Sequence, residues 1–181
     1  MKPDERVRNL INRLARLDGA DSWAGDVNPA QHAALEYLRD ANQFSRKPSH
    51  VAEYLGTTRG TMSQTLKALL RKGYVQEERS PSDKRSIFYT LTKHGSAIVT
   101  DKKLLADAFG SLSPADIATL ETALGNGLQK VLEHNGNRPF GLCSRCNFHV
   151  IEEGQSYCKL LSLPLTPIES EKICVEHQTR I

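Results

Sequence analysis

The chain has 181 residues, of which 39% are hydrophobic and 25% charged, and a formal net charge of +3. That balance excludes a disordered, collagen-like or coiled-coil-dominated chain, and no apolar run approaches the ~18 residues of a membrane span. The length fits one ordinary domain, or a domain with a small appendage, at ~100–200 residues per domain.

The N-terminus, Met1-Lys2-Pro3-Asp4-Glu5-Arg6, lacks the apolar core of a signal peptide, so the protein is expected in the cytoplasm. Val7, Leu10, Ile11, Leu14 and Leu17 then follow helical spacing, with arginines largely opposite, and this helix is expected to end near Gly19. Asp18 to Asp26 reads as a loop. Asn28-Pro29 is a cap followed by a first-turn proline, and it opens a helix to about Asn42. After a polar stretch, Gln43 to Lys47, Pro48-Ser49 introduces a short helix ending at Leu55-Gly56.

Thr57-Thr58-Arg59 begins the next helix, whose Met62, Leu66, Leu69 and Leu70 share one face and whose terminator is Gly73. Two extended segments follow, Tyr74 to Arg79 and Ser86 to Thr92, joined by the polar tip Ser80-Pro81-Ser82-Asp83-Lys84-Arg85. One helix is then expected from Lys93 to about Phe109. Ser113-Pro114-Ala115-Asp116 restarts a helix with the stripe Ile117, Leu120, Leu124, Leu128 and Val131. Asn135 to Pro139 breaks it as a linker. The remaining segment has too little apolar content for a core of its own. The expected organisation is therefore residues 1–134 as one domain and 135–181 as a cysteine-bearing tail.

Charge and cysteine are both unevenly spread. Gln43 to Lys103 carries 12 Lys/Arg against 5 Asp/Glu, a balance of +7, and the rest balances at −4. A basic middle between acidic flanks points to a polyanionic partner, nucleic acid first. All four cysteines, Cys143, Cys146, Cys158 and Cys174, lie in the last 39 residues. In a reducing compartment such clustering favours metal over structural disulfides.

The central order of helix, turn, helix and hairpin leaves the outer face of the second helix free, and that face carries Arg59, Ser63, Gln64, Lys67 and Arg71. These side chains donate to phosphates and read base edges in a major groove wide enough for a helix. Lys84 and Arg85 at the hairpin tip suit an adjacent minor groove. A hydrated polar face on a core helix is the bland alternative, and charge, recognition face and hairpin together argue against it.

The run Leu55-Gly56-Thr57-Thr58-Arg59-Gly60-Thr61-Met62-Ser63, with Leu69-Leu70-Arg71-Lys72-Gly73-Tyr74-Val75, Asp83-Lys84-Arg85 and Leu91-Thr92-Lys93-His94-Gly95, resembles the MarR family of winged helix-turn-helix regulators. The resemblance covers roughly Lys2 to His134. It implies a mainly α fold with a small β-hairpin wing, and a homodimeric repressor or activator on a double-stranded, pseudo-palindromic DNA operator. It also implies DNA contacts from Thr58, Arg59, Gly60, Ser63, Gln64, Lys67 and Arg71, with Asp83, Lys84 and Arg85 at the wing, where Asp83 braces Arg85. The stripes of the first and last long helices would form the dimer. No catalytic residues, membrane partner or specific small-molecule effector follow from it.

The family does not generally carry the cysteine tail. Cys143-Ser144-Arg145-Cys146 is a knuckle that directs two sulfurs at one ion, with Cys158 and Cys174 after 11 and 15 further residues. An iron–sulfur cluster uses all four cysteines, and Leu160, Leu161, Leu163, Ile173 and Val175 would shelter it. Zinc is the alternative, with His177 replacing Cys158 through Cys174-Val175-Glu176-His177; redox thiols are a third reading. Cys146-x-x-His149 also has ligand spacing, but His149 is read as an ordinary exposed histidine. The expected mechanism is a sensor whose metal centre alters the spacing of the recognition helices through the adjoining last helix. A metalloprotein without DNA affinity, and a winged module for protein contact, are the readings from other classes.

Overall fold

In the computed structural model, residues 1–23, 25–79, 86–99, 104–152 and 154–180 are described. Helix α1 (Pro3–Asp21) carries Asp4 and Glu5 in its first turn, where the helix dipole favours them, and runs two residues past the expected end. Helix α2 (Pro29–Asp40) is fixed by reciprocal bonds: Gln31 N donates to Asn28 Oδ1 at 2.9 Å and Asn28 N donates to Gln31 Oε1 at 3.3 Å. A single 3-10 turn, Gln43–Ser45, leads into α3 (Pro48–Tyr54). Gly56, at φ +62°, makes the tight corner before α4 (Arg59–Arg71), which Thr58 caps by accepting from Thr61 N.

Strands β1 (Val75–Arg79) and β2 (Ile87–Leu91) pair antiparallel with Val75 opposite Leu91 and Arg79 opposite Ile87. Residues 80–85 lie outside the described residues, and with them the tip residues Asp83, Lys84 and Arg85. The one helix expected over Lys93 to Phe109 is two, α5 (Lys93–Ile98) and α6 (Leu104–Gly110). Gly95 is obligatory in α5, because a Cβ there would sit 2.0 Å from the Tyr74 carbonyl oxygen.

One face each of α2, α3 and α4 meets the wing strands over a core of Leu35, Leu38, Val51, Leu66, Leu69 and Tyr89. A fully buried leucine contributes about 1.5–3 kcal/mol, so apolar burial is a large part of what holds this middle section together. The long α7 (Pro114–Asn135) starts at the Ser113 cap and stops at Gly136, φ +65°. Its Leu120, Leu124, Leu128 and Val131 are 39–59% exposed, and the stripe of α1 is 36–62% exposed. Neither stripe is covered by the chain's own core.

The tail forms two small sheets. Strand β3 (Gly141–Leu142) pairs with β7 (Ile173–Cys174), and β4 (His149–Glu152), β5 (Gln155–Cys158) and β6 (Leu163–Pro164) make the other, with the short α8 (Pro167–Ser170) between. A small core does form here, but from sulfur: Cys143, Cys158, Cys174 and Leu165, with Phe148, Leu163 and a borrowed Phe44 packed against it. Leu160 and Leu161, expected to shelter the cysteines, are instead exposed at a turn, because the β5–β6 reversal points them outward. Among the described residues no helix is long and apolar enough to cross a membrane.

Candidate nucleic-acid interface and cysteine centre

The core turns Met62, Leu66 and Leu69 of α4 inward, so the 3.6-residue period turns Arg59, Gly60, Gln64, Lys67 and Arg71 to solvent, with Ser63 half-buried beside them. The remaining predicted contact, Thr58, spends its hydroxyl on the cap and on Thr61 Oγ1 at 2.8 Å. Neighbouring cations are engaged: Lys72 pairs with Asp26 at 3.3 Å, Arg39 with Asp40 at 2.7 Å, Arg79 with Glu77 at 3.8 Å. Arg46 donates twice to the Ala41 carbonyl. Among the described residues no carboxylate pairs with Arg59, Lys67 or Arg71. The outer face of α4 thus presents three unneutralised cations and an amide on one rigid helix, a shape and charge that fit a major groove.

The cysteines come from three separate stretches. Cys143 N donates to Lys172 O at 3.0 Å and Cys146 N to Cys143 O at 3.0 Å, which closes the knuckle. Gln178 N donates to Cys146 Sγ at 3.4 Å, and Arg180 holds the knuckle carbonyls of Ser144 and Cys146. Cys158 ends β5 opposite His149, and Cys174 pairs with Gly141. All four are buried and unbridged. Cys143 donates its S–H to Cys174, which pushes the Cys143 thiol up and the Cys174 thiol down; Asn42 and a backbone N–H at Glu176 also favour the Cys174 thiolate. Cys158 and Cys146 act on Cys143 through space in the same direction as Cys174. Among the described residues, no group of three or more His, Cys, Asp or Glu side chains is arranged to hold a metal ion.

The two histidines differ from each other. His177 lies flat on Gly141, where a Cβ would be 2.8 Å from its ring, and lines a groove of about 580 Å³ against α7 with Phe140, Leu142 and Arg145. His149, expected to be exposed, opens β4 opposite Cys158 and is half-buried, and its Nε2 is enclosed without a hydrogen-bond partner.

The tail docks against the turn before the helix-turn-helix. Asn42 N donates to Ile173 O at 2.9 Å, Gln43 N to Glu169 Oε2 at 2.9 Å, and Val175 N to the buried Ser45 Oγ at 2.8 Å. Arg145–Glu121 at 2.6 Å ties it to α7, and Arg138 reaches Glu53 of α3 at 3.7 Å. Asn42, Phe44 and Ser45 were not singled out from the sequence, where they read as part of a polar connector; no local spacing or composition marks a docking turn.

The model of the MarR family matches residues 25–86, ending well short of the cysteines. An HTH-type transcriptional regulator of Bacillus subtilis, YkoM, is 30% identical over 123 residues, 61% of this chain and 78% of that protein. The E. coli MarR C80S mutant complexed with operator DNA superimposes at TM-score 0.55 and 26% identity, covering 70% of this chain and 94% of the other. Streptococcus pneumoniae FabT in complex with DNA gives TM-score 0.55 at 24% identity, covering 72% and 95%, a likeness of fold.

Proposed function

The chain belongs to the MarR family, whose members are DNA-binding transcription regulators and not enzymes, and from that premise we propose a cytoplasmic homodimer that grips an operator with α4 and the wing while a four-cysteine iron–sulfur centre in the tail sets its affinity. The observation that carries the DNA-binding reading is the α4 face, where Arg59, Lys67 and Arg71 stand unneutralised beside Gln64. Arg59 and Gln64 suit bidentate contacts to guanine and adenine; Lys67 and Arg71 suit phosphates; Thr58 positions the helix rather than the base. Asp83, Lys84 and Arg85 are assigned to the wing contact by the family motif. Dimerisation is supported by the bare stripes of α1 and α7, which need a second copy to leave water. The solved relative on operator DNA supports the same partner.

Support for the metal centre is the burial of Cys143, Cys158 and Cys174 in one small cluster, with Cys146 buried next to it in the Cys143–Cys146 knuckle. His177 turns to Gly141 and the α7 groove, which favours the all-cysteine set over three cysteines and a histidine. When bound, such a cluster supplies an oxidant-sensitive body whose assembly or loss is a signal. The chain's own part is to bury the sulfurs, hold the knuckle through Arg180 and seat the tail on the core.

Two measurements test this. Anaerobically purified protein is expected to be brown, with iron and sulfide; a colourless protein with one zinc per chain replaces the cluster with a structural zinc site. On genomic fragments it is expected to footprint two half-sites about 34 Å apart, one DNA turn. Arg59→Ala is expected to weaken operator binding by about 1–3 kcal/mol, concentrated on one base position. A protein that retains no DNA at low salt refutes the regulator reading.

A further inference from the structure

The tail runs beside α7 and meets it at Arg145 and Glu121, leaving between them a groove of about 580 Å³, a size that takes a small organic molecule. One wall is α7, with Gly125, Leu128 and Leu132; the other is the start of the tail, with Phe140 and Leu142. Phe140 packs edge-on against Tyr54 at 5.4 Å and Tyr37 at 6.4 Å between ring centres, which fixes the tail wall to α2 and α3. The groove is therefore apolar inside and held open from both sides.

Gly125 keeps the groove deep. A glycine inside a helix weakens it, and no crowding requires one here: a Cβ at this position would meet no atom within 4 Å. Gly125 lies about 100° round α7 from Leu124, so the groove face stands beside the bare stripe and shares Leu128 with it. Charge sits at the rim. Arg145 Nη1 donates to Glu121 Oε1 at 2.6 Å, and both side chains are more than half exposed. Glu121 takes one of the five N–H donors of the guanidinium, and an incoming carboxylate in the plane of that fork takes two. His177, which also lines the groove, has its Nδ1 enclosed without a hydrogen-bond partner, and such an atom calls for one.

We propose that the groove between α7 and the tail is a binding site for a small organic carboxylate with an apolar body, the body filling the space beside Gly125 and the carboxylate taking Arg145 from Glu121. The body displaces water from Leu128, Leu132, Phe140 and Leu142, and the released Glu121 returns to solvent. Both walls then hold one molecule, which ties α7 to the tail and, through Phe140, to α3. Binding here requires neither a metal on the cysteines nor DNA, so its failure leaves the regulator reading as it stands.

The test is calorimetric titration of the full-length protein with octanoate and phenylbutyrate, each beside the matching alcohol, octanol and phenylbutanol. At least one acid is expected to bind with a dissociation constant below about 1 mM, which about ten non-hydrogen atoms reach at modest efficiency. Its alcohol is expected to bind about tenfold more weakly, and Arg145→Gln to abolish that difference. Glu121→Gln removes the competing carboxylate and is expected to tighten the acid about two- to fivefold, a gain that a merely structural ion pair does not give. Gly125→Leu fills the groove without a clash and is expected to abolish binding, whereas Gly127→Ala, off the groove, is expected to keep it. Melting curves report whether the leucine variant folds; if it does not, the Arg145 and Glu121 variants decide. A wild type that binds neither acid saturably, charge variants that leave the acid's affinity unchanged, or a folded Gly125→Leu that binds like wild type overturns the site.

Discussion

The middle of the molecule and its ends solve burial in opposite ways. Between α2 and β2, Leu35, Leu38, Leu66 and Leu69 are fully enclosed, and among the described residues Tyr54 is the one large apolar side chain left exposed. At the ends, α1 and α7 leave whole apolar stripes bare, and the tail gathers sulfur where a domain of its size lacks hydrocarbon. The middle is finished by its own sequence; the ends leave apolar stripes and a sulfur cluster, for which the proposed additions are a second copy and an iron–sulfur centre. The proposed regulation lies at these unfinished ends, since only contacts that depend on an external species can report on it.

The sharpest way to break this contrast is at α7. Leu124→Glu with Leu128→Glu places two charges on the bare stripe without touching the core of the middle. Sedimentation is expected to show a monomer, and operator affinity is expected to fall by about 100- to 10,000-fold, because two half-sites no longer bind as one unit. The thermal unfolding of the middle is expected to stay where it is. A double variant that remains dimeric would show that the ends do not meet through α7.

The converse change acts on the middle. Leu66 is wholly buried, and Leu66→Ala is expected to cost about 2–5 kcal/mol in urea unfolding, the range for a leucine cavity. Leu160→Ala in the tail, at 46% exposure, is expected to cost under about 0.5 kcal/mol. Equal losses would mean that hydrocarbon holds the tail as it holds the middle.

Sequence reading did well where a local rule suffices. The caps at Asn28, Thr58 and Ser113, the terminators Gly73 and Gly136 and the two wing strands follow from neighbours a few residues apart, and each element lies within about two residues of its expected bounds. The α4 face was legible for the same reason: a 3.6-residue period fixes which side chains face out. What was not legible is long-range. Phe44 entering the cysteine cluster and Ser45 receiving Val175 N join positions about 100 to 130 residues apart, and no periodicity encodes that. The end of α5 at Ile98 was missed because no glycine or proline follows it in the sequence before Gly110. His149 was misread because its burial comes from strand pairing with Cys158, not from its own surroundings in sequence.

The smallest expected effect lies at the seam between an end and the middle. Asp26, in the loop after α1, accepts from Tyr74 Oη at 2.7 Å and pairs with Lys72 at the exit of α4. The Tyr74 hydroxyl, ahead of Lys72, holds its carboxyl below the ordinary value of 3.8. A carboxyl whose folded pKa is depressed adds stability above 3.8, and that contribution fades as pH falls through the lower folded value. Asp26→Asn keeps an acceptor for Tyr74 and removes only the charge, so it is expected to melt slightly lower than wild type at neutral pH. Melting curves of the two proteins are expected to converge as pH drops below 3.8, where the wild-type carboxyl becomes protonated as well. The side chain stands at the water's edge, so added salt is expected to narrow the neutral-pH gap too. A gap that persists at low pH and high salt would mean that the loop is pinned by shape rather than charge, and that the seam belongs to the self-sufficient middle.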